Sequence, residues 1–472
     1  MRMKARIIAL VLIIIAAAGF TACVPKENND RNDTRTRLKI SYYLAGYGDK
    51  WLRDAAAVFE AENPDVKIVL DGNYNMQFSL EVRLKAAELG DSVSDIFTDI
   101  SGIDLINFIN KGWVEDLTGL YGQETEDGIK LSEAVLPQAM EQMKLRDGYY
   151  GVPWVSSVTG FVYNSKMFRD NNWQVPGTLN DFLTLCEKIK TANIKAGNKT
   201  VAPLVYSGAS EQGYFQHLLR AWFLMYQGEK DFLDFYKYNS PEVFKMQGRL
   251  KAYEALGTIL GNRYAMAGST VTDYLSAQRS FIMGEAAMIS CGSWLETEMS
   301  GFIKEFPNFE MKIMPTPVIY ASESNGKYFS LDGKEILDGC TSTGGSFFIP
   351  AKAAQKELAK KFLLFMSSRR MLNVFVKGAG APRPFIYPND TDWSGLTPFQ
   401  ESVMECYQQA YCISASSWHP LALEGRVVEY PNGRYSAYLG NAVSPQNGLD
   451  RARELYDEDY DIVSRVFQLH NG

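Results

Sequence analysis

The sequence predicts an α/β protein built as two modules joined by shared extended segments. Three observations carry this. Strand-like and helix-like stretches alternate from Leu38 to Asn110, the pattern of a mostly parallel sheet with helices packed on it. A β-rich run from Tyr149 to Val162 is broken at Pro153-Trp154, where proline fixes its own φ and donates no N–H. Beyond the break the alternation restarts, so the broken run suits a strand that leaves one module and enters another.

The N-terminal stretch stands apart from this fold. Arg2, Lys4 and Arg6 precede 14 apolar residues, Ile7 to Phe20, and small residues follow up to Cys23. That is an export signal, shorter than the ~20 residues of a membrane span. Residues 1–22 are therefore expected to be a lipoprotein signal peptide with Cys23 as the acylated residue, although Phe20 stands where such motifs usually carry Leu. Residues 23–37 are expected to be a disordered tether. Val24 to Arg37 lacks large apolar residues and fully extended would reach on the order of 45 Å.

With 46% apolar and 22% charged residues, the 472-residue chain has ample core for two to three domains. Without the signal it carries 45 basic and 55 acidic groups, net −10, and no basic stretch, which argues against nucleic acid or anionic surfaces as partners. Beyond Cys23, five cysteines remain, at 186, 291, 340, 406 and 412, with no CxxC. An exported location permits disulfides. Cys406 and Cys412 are the one close pair; six apart, they either form a disulfide or, the preferred reading, are two buried thiols on one helix.

In order, Leu38–Leu44 is a strand, residues 49–62 a helix with Leu52, Ala55, Ala56 and Phe59 at helical spacing, and Val66–Leu70 a second strand. A helix over 76–88, a strand over 94–98 ending at Asp99, and a helix over 103–110 complete the first module. In the second, Pro176–Lys190 is a helix capped by Thr178 or Asn180. Residues 211–266 are helical and dense in aromatics, most of them core. A buried strand after Gly284 delivers Trp294 past Gly292-Ser293, and residues 321–340 read as a surface hairpin or loop insertion. Thr343–Ser346 leads into a second extended crossing over Phe347–Pro350. A helix from Lys356 to Ser367 and a loop over Lys377–Arg383 follow.

Motifs for catalysis or metals are missing from the chain. The three histidines, His217, His419 and His470, form no HExxH and no Cys/His cluster. Asp71-Gly-Asn73-Tyr-Asn75 opens like a calcium loop, but Met76 stands where Gly is needed and Val82 where the bidentate Glu is needed. There is no GxSxG and no phosphate loop. No catalytic residue, metal or cofactor is expected.

Several landmarks together resemble the extracellular solute-binding proteins of family 1, the carbohydrate-binding lipoproteins of ABC importers. They are Phe59–Pro64, Asp95–Asp99, Lys111–Leu117, Gly151-Val-Pro-Trp154 with Tyr163-Asn164, Pro176–Phe182, Phe281–Met288 with Trp294, Met314–Pro317, Gly344-Gly345 with Ile349-Pro350, and the helix over 359–367. They follow the family's order over nearly all of the mature chain. The resemblance implies a two-lobed periplasmic-binding-protein-like (type II) α/β fold with a ligand cleft between lobes joined by hinge segments. Lobe I would comprise 38–152 and 345–400, and lobe II 153–344 and 401–472. It also implies a lipid-anchored protein on the extracellular side of the cell membrane that passes a sugar or oligosaccharide to permease subunits; a monomer is the default expectation.

Sugars present hydroxyls and an apolar C–H face, so their sites combine aromatic platforms with carboxylates and amides. Trp154 on the first crossing is expected to face the cleft, the alternative being hinge-core packing. Trp294 matches the family's stacking aromatic, the alternative being a lobe-core ring. Asp99 ends a strand where ligands of such sheets bind, or caps the following helix. Gly345 allows close backbone approach, or serves only the hinge. Tyr43, Tyr47, Trp418, Tyr435 and Arg383 complete the candidates. The aromatics and the 321–340 insertion suggest an oligosaccharide. The competing readings are a peptide, polyamine or other small solute in the same fold, and a secreted carbohydrate-active enzyme using two carboxylates.

Overall fold

A computed structural model describes residues 33–471, apart from 75, 100–101, 146, 211–213, 337–339, 344, 410 and 414–418. The proposed signal peptide, Cys23, most of the tether and Trp418 lie outside the described residues. Among the described residues no helix is long and apolar enough to cross a membrane.

Two sheets organise the chain. The first has the strand order Val66–Asn73, Thr36–Tyr43, Ile96–Asp99, Ser346–Phe348, Val152–Pro153. Its first three strands are parallel, and Ser346–Phe348 runs antiparallel to both neighbours. The second runs Ala202–Val205, Ala286–Gly292, Ser156–Asn164, Cys340–Thr343, Tyr411–Ile413, with Met311–Met314 also paired to Ser156–Asn164. The chain passes from the first sheet to the second through Trp154-Val155 and returns between Thr343 and Ser346. A third passage follows the helix Arg369–Ala379 and ends in the helix Pro398–Gln409, which packs Phe399, Val403 and Met404 beside Ile313 of the second sheet. The fold is thus the expected two-lobed α/β architecture.

Helix Lys50–Glu62 buries Trp51, Leu52, Ala55, Ala56 and Phe59 against the first sheet, the face the sequence spacing marks out. Thr178 caps the helix Leu179–Ala192 through a capping box with Asp181. In the second lobe the helix Gln247–Gly261 lies against the C-terminal helix Pro445–Asn471. The backbones meet at Gly257 and Gly448, where an added Cβ on Gly257 would stand 2.4 Å from the Gly448 carbonyl oxygen.

Two expectations need correction. Lys377–Ala379 is not loop but the last turn of the helix Arg369–Ala379, closed by left-handed Gly380 at φ 72°. Its Val374-Phe-Val376 run and Gly378 weaken helix propensity, but burial of Met371, Leu372, Phe375 and Val376 overrides that. Gly378 is required because a Cβ there would stand 2.6 Å from the backbone of Trp51. Cys406 and Cys412 do not share a helix: the helix ends at Gln409 and Cys412 lies on the strand Tyr411–Ile413. Cys406 is a buried free thiol, pushed up to about 12 by burial. The 321–340 insertion does contain the hairpin that the sequence suggested, Ser322–Ser324 with Lys327–Phe329, turning at Asn325-Gly326, both with positive φ. The segment that follows it is tied down at the carboxyl end of the helix Phe215–Gln227, where Leu331 N–H donates to the Tyr226 carbonyl. Tyr214, at the other end of that helix, is about 18 Å away at 1.5 Å per residue.

Candidate functional site: the interlobe aromatic cluster

The two crossings lie side by side because each continues a strand of the first sheet. Val152 pairs with Phe347 and Pro153 with Ser346, and the Trp154 N–H donates to the Gly345 carbonyl at 3.1 Å. Gly345 has φ 104°, a backbone that side chains with a Cβ rarely adopt. Asp99, at the end of its strand, pairs in register with Ser346, so its backbone sits beside the second crossing.

Arg383 ties the crossings together. It is fully buried, and its guanidinium donates to the carbonyls of Pro153 at 2.7 Å, Trp154 at 3.2 Å and Met366 at 2.5 Å. The ring of Phe347 on the second crossing lies 5.5 Å from it and that of Phe385 4.4 Å. Its own carbonyl accepts from Tyr407 of the second-lobe helix at 3.1 Å. Arg383 therefore does not reach into the cleft: its donors are engaged by backbone at the hinge. Burial pulls its pKa down, to about 9, which leaves it charged at neutral pH.

Between the lobes lies an aromatic cluster. Tyr47, in the loop after the first strand, packs with the first-lobe core. Its ring stands edge-on to Trp154 at 5.9 Å and to Trp294 at 6.4 Å. Trp294 follows the strand Ala286–Gly292, a half-buried ring that touches the cores of both lobes. Gly292 makes room for it, since a Cβ there would stand 2.2 Å from the indole. Tyr214 approaches Trp294 at 5.2 Å and His217 at 6.2 Å. The Tyr47 hydroxyl meets Ser157 Oγ at 2.9 Å and Ser293 Oγ at 3.3 Å, both on the second lobe. Burial pushes the Tyr47 phenol up to about 12, so it is neutral and can donate.

Of the expected site residues, the structure brings Tyr47, Trp154, Trp294 and Gly345 together. Trp154 does not face the cleft as expected but packs in the hinge core: it is only 1% exposed, covered by Tyr47 on one side and by Trp51 at 6.1 Å, because the crossing carries its ring inward among first-lobe aromatics. Tyr43 is half-buried at the end of its strand and packs between two first-lobe clusters. Tyr435 is not at the cluster surface but in the second-lobe core, its hydroxyl donating to Gln216 at 3.3 Å. Sequence reasoning missed Tyr214, His217, Ser157 and Ser293. Tyr214 and His217 open a helix whose other aromatics are core, and nothing local separates them from Phe215 or Trp222.

His217 is pulled down to about 3, first by burial and then by the Arg220 charge. A folded pKa below the unfolded value near 6.5 means that the unfolded chain binds more protons between the two. Stability contributed by neutral His217 is therefore present above about pH 6.5 and lost as pH falls toward about 3. Thermal melts across that window should show His217→Gln with a flatter decline than the wild type. Parallel curves would mean that the imidazole titrates as it does in water.

Two α/β lobes on crossing strands, with aromatic rings and hydroxyls between them, define the class of two-lobed solute-binding proteins. The chain belongs to the bacterial extracellular solute-binding protein family, whose model matches residues 44–371. It is similar to the diacetylchitobiose binding protein NgcE of Streptomyces coelicolor, 23% identical over 370 residues, 76% of this chain and 72% of that one. It is likewise similar to the multiple sugar-binding protein of Streptococcus mutans, 23% identical over 388 residues, 80% of each chain. Among solved structures, the solute-binding protein RafE in complex with raffinose superposes with a TM-score of 0.61 at 19% identity, covering 90% of this chain and 99% of that one.

Proposed function

We propose that this protein is the extracellular substrate-binding component of an ABC importer, capturing a neutral sugar or oligosaccharide by hinge closure and delivering it to membrane permease subunits. Lobe I is taken as 38–152 with 345–400, and lobe II as 153–344 with 401–472, closing about the crossings. A lipid on Cys23 would hold it at the outer face of the cell membrane, and it would work as a monomer without cofactor or catalysis. The observation that carries this reading is the half-buried Trp294 ring beside the hydroxyls of Tyr47, Ser157 and Ser293. An indole face suits the C–H face of a sugar, and neutral hydroxyls with an uncharged imidazole suit a polyol better than a polyamine. That sugar-binding proteins recur among the relatives supports the same choice.

Tryptophan fluorescence titration with mono- and oligosaccharides tests it. A saturable change is expected, with Trp294→Ala weakening affinity at least about tenfold, the effect of a buried aromatic anchor. Silence across the sugars, with a peptide or polyamine shifting the signal instead, would overturn the sugar assignment. Cleavage of an oligosaccharide by the pure protein would overturn the non-enzymatic one.

A further inference from the structure

We infer that Tyr47 is a built-in competitor for the ligand: its phenol hydroxyl occupies a hydroxyl subsite formed by Ser157 and Ser293, and a sugar hydroxyl must displace it. The inference rests on the sugar reading above and adds what sets affinity at that site. Its first support is placement. Tyr47 packs with the first-lobe core, whereas Ser157 and Ser293 belong to the second lobe, so these hydrogen bonds hold the two lobes against each other. Ser157 is half-buried and Ser293 fully buried, a shallow and a deep hydroxyl converging on one phenol oxygen, which can donate its single proton to one of them and accept from the other.

The second support is what Tyr47 covers. Tyr47, edge-on to both indoles, covers one side of Trp154 while Trp51 covers another, and together they leave it 1% exposed. On the side that Tyr47 covers, no sugar can reach that ring while Tyr47 stays in place. The third is the loop itself. Gly46 at φ 72° and Gly48 at φ 62° flank Tyr47, and glycines tolerate the backbone changes that a swinging side chain demands. Displacement exchanges one hydroxyl for another at Ser157 and Ser293 and uncovers Trp154 for stacking. A protein that must first release its own hydroxyl binds with reduced apparent affinity. The subsite therefore favours ligands whose hydroxyl and ring together replace both Tyr47 contacts.

Tyr47→Phe keeps the ring and deletes the hydroxyl, and Ser157→Ala/Ser293→Ala deletes its partners while leaving Tyr47 intact. Circular dichroism first establishes that both fold. Without any sugar, small-angle scattering should show both variants opened, by about an ångström on a radius of gyration of roughly 22 Å. An unchanged radius in both overturns the inference whatever the ligand proves to be. In titrations with raffinose and diacetylchitobiose, Tyr47→Phe should bind about three- to tenfold more tightly than wild type, the worth of one released hydrogen bond, and the serine double variant more weakly. Weaker binding by Tyr47→Phe would make Tyr47 an ordinary ligand contact and overturn the competitor role. If no variant and no wild type binds either sugar, the sugar reading falls, and the scattering result alone decides for or against the latch.

Discussion

Asp459→Ala should lower the stability of the second lobe by about 3–5 kcal/mol, the cost of leaving one partner of a buried ion pair uncompensated. Asp459 is fully buried. It accepts from Arg249 at 2.9 Å, from the Tyr253 hydroxyl at 2.8 Å and from the Asn432 N–H at 3.1 Å. Burial raises its pKa even with Arg249 alongside. The Arg249 guanidinium is stacked over Phe235 at 4.7 Å and Phe244 at 4.8 Å, and donates to the Glu429 carbonyl. Glu429 in turn takes the Arg220 guanidinium and the Tyr236 hydroxyl. Removing the carboxylate strands a cation among aromatic rings. Chemical denaturation followed by circular dichroism reads the loss. Pairing Asp459→Leu with Arg249→Met should recover much of it, because no charge is then left alone. A loss below about 1 kcal/mol in the single variant would show that water reaches the pair.

Arg383→Met should cost on the order of 4 kcal/mol, because three buried carbonyls lose their donor at about 1–3 kcal/mol each, less what relaxation recovers. Arg383→Lys should recover only part of this, since one ammonium cannot span the carbonyls of Pro153, Trp154 and Met366 as a planar fork does. If Lys restored full stability, a point charge rather than the fork would be what the hinge needs.

The strand–helix alternation of the first lobe was legible because period-two and helical patterns are local, and Lys50–Glu62 and Val66–Asn73 fall where that patterning puts them. The crossing at Trp154 was legible because Pro153 interrupts a β-rich run. The helix Arg369–Ala379 was not, because its Val-Phe-Val run argues locally for strand and only packing against Trp51 and the first-lobe core selects helix. Arg383 was read as a cleft residue because its partners, Pro153 and Trp154, lie 230 and 229 residues away. The Tyr47 hydroxyl poses the same problem, with Ser157 110 residues distant and Ser293 246. No window of sequence contains such contacts. What patterning yields is which elements form; which polar groups meet is decided by topology.

The pairing of the helix Gln247–Gly261 with Pro445–Asn471 has a consequence for the order in which the protein acquires its shape. The Gly257–Gly448 approach joins positions nearly two hundred residues apart, and Asp459, the counter-charge of Arg249, arrives only with the last helix. Non-local contacts are slow to form because chain closure must precede their reward. A chain emerging amino end first can lay down the parallel strands over 36–99 early. Its second lobe, however, holds Arg249 without a counter-ion until the final turns emerge. Removal of the helix Pro445–Asn471 should therefore yield aggregation rather than a smaller folded lobe, read as loss of soluble protein on expression.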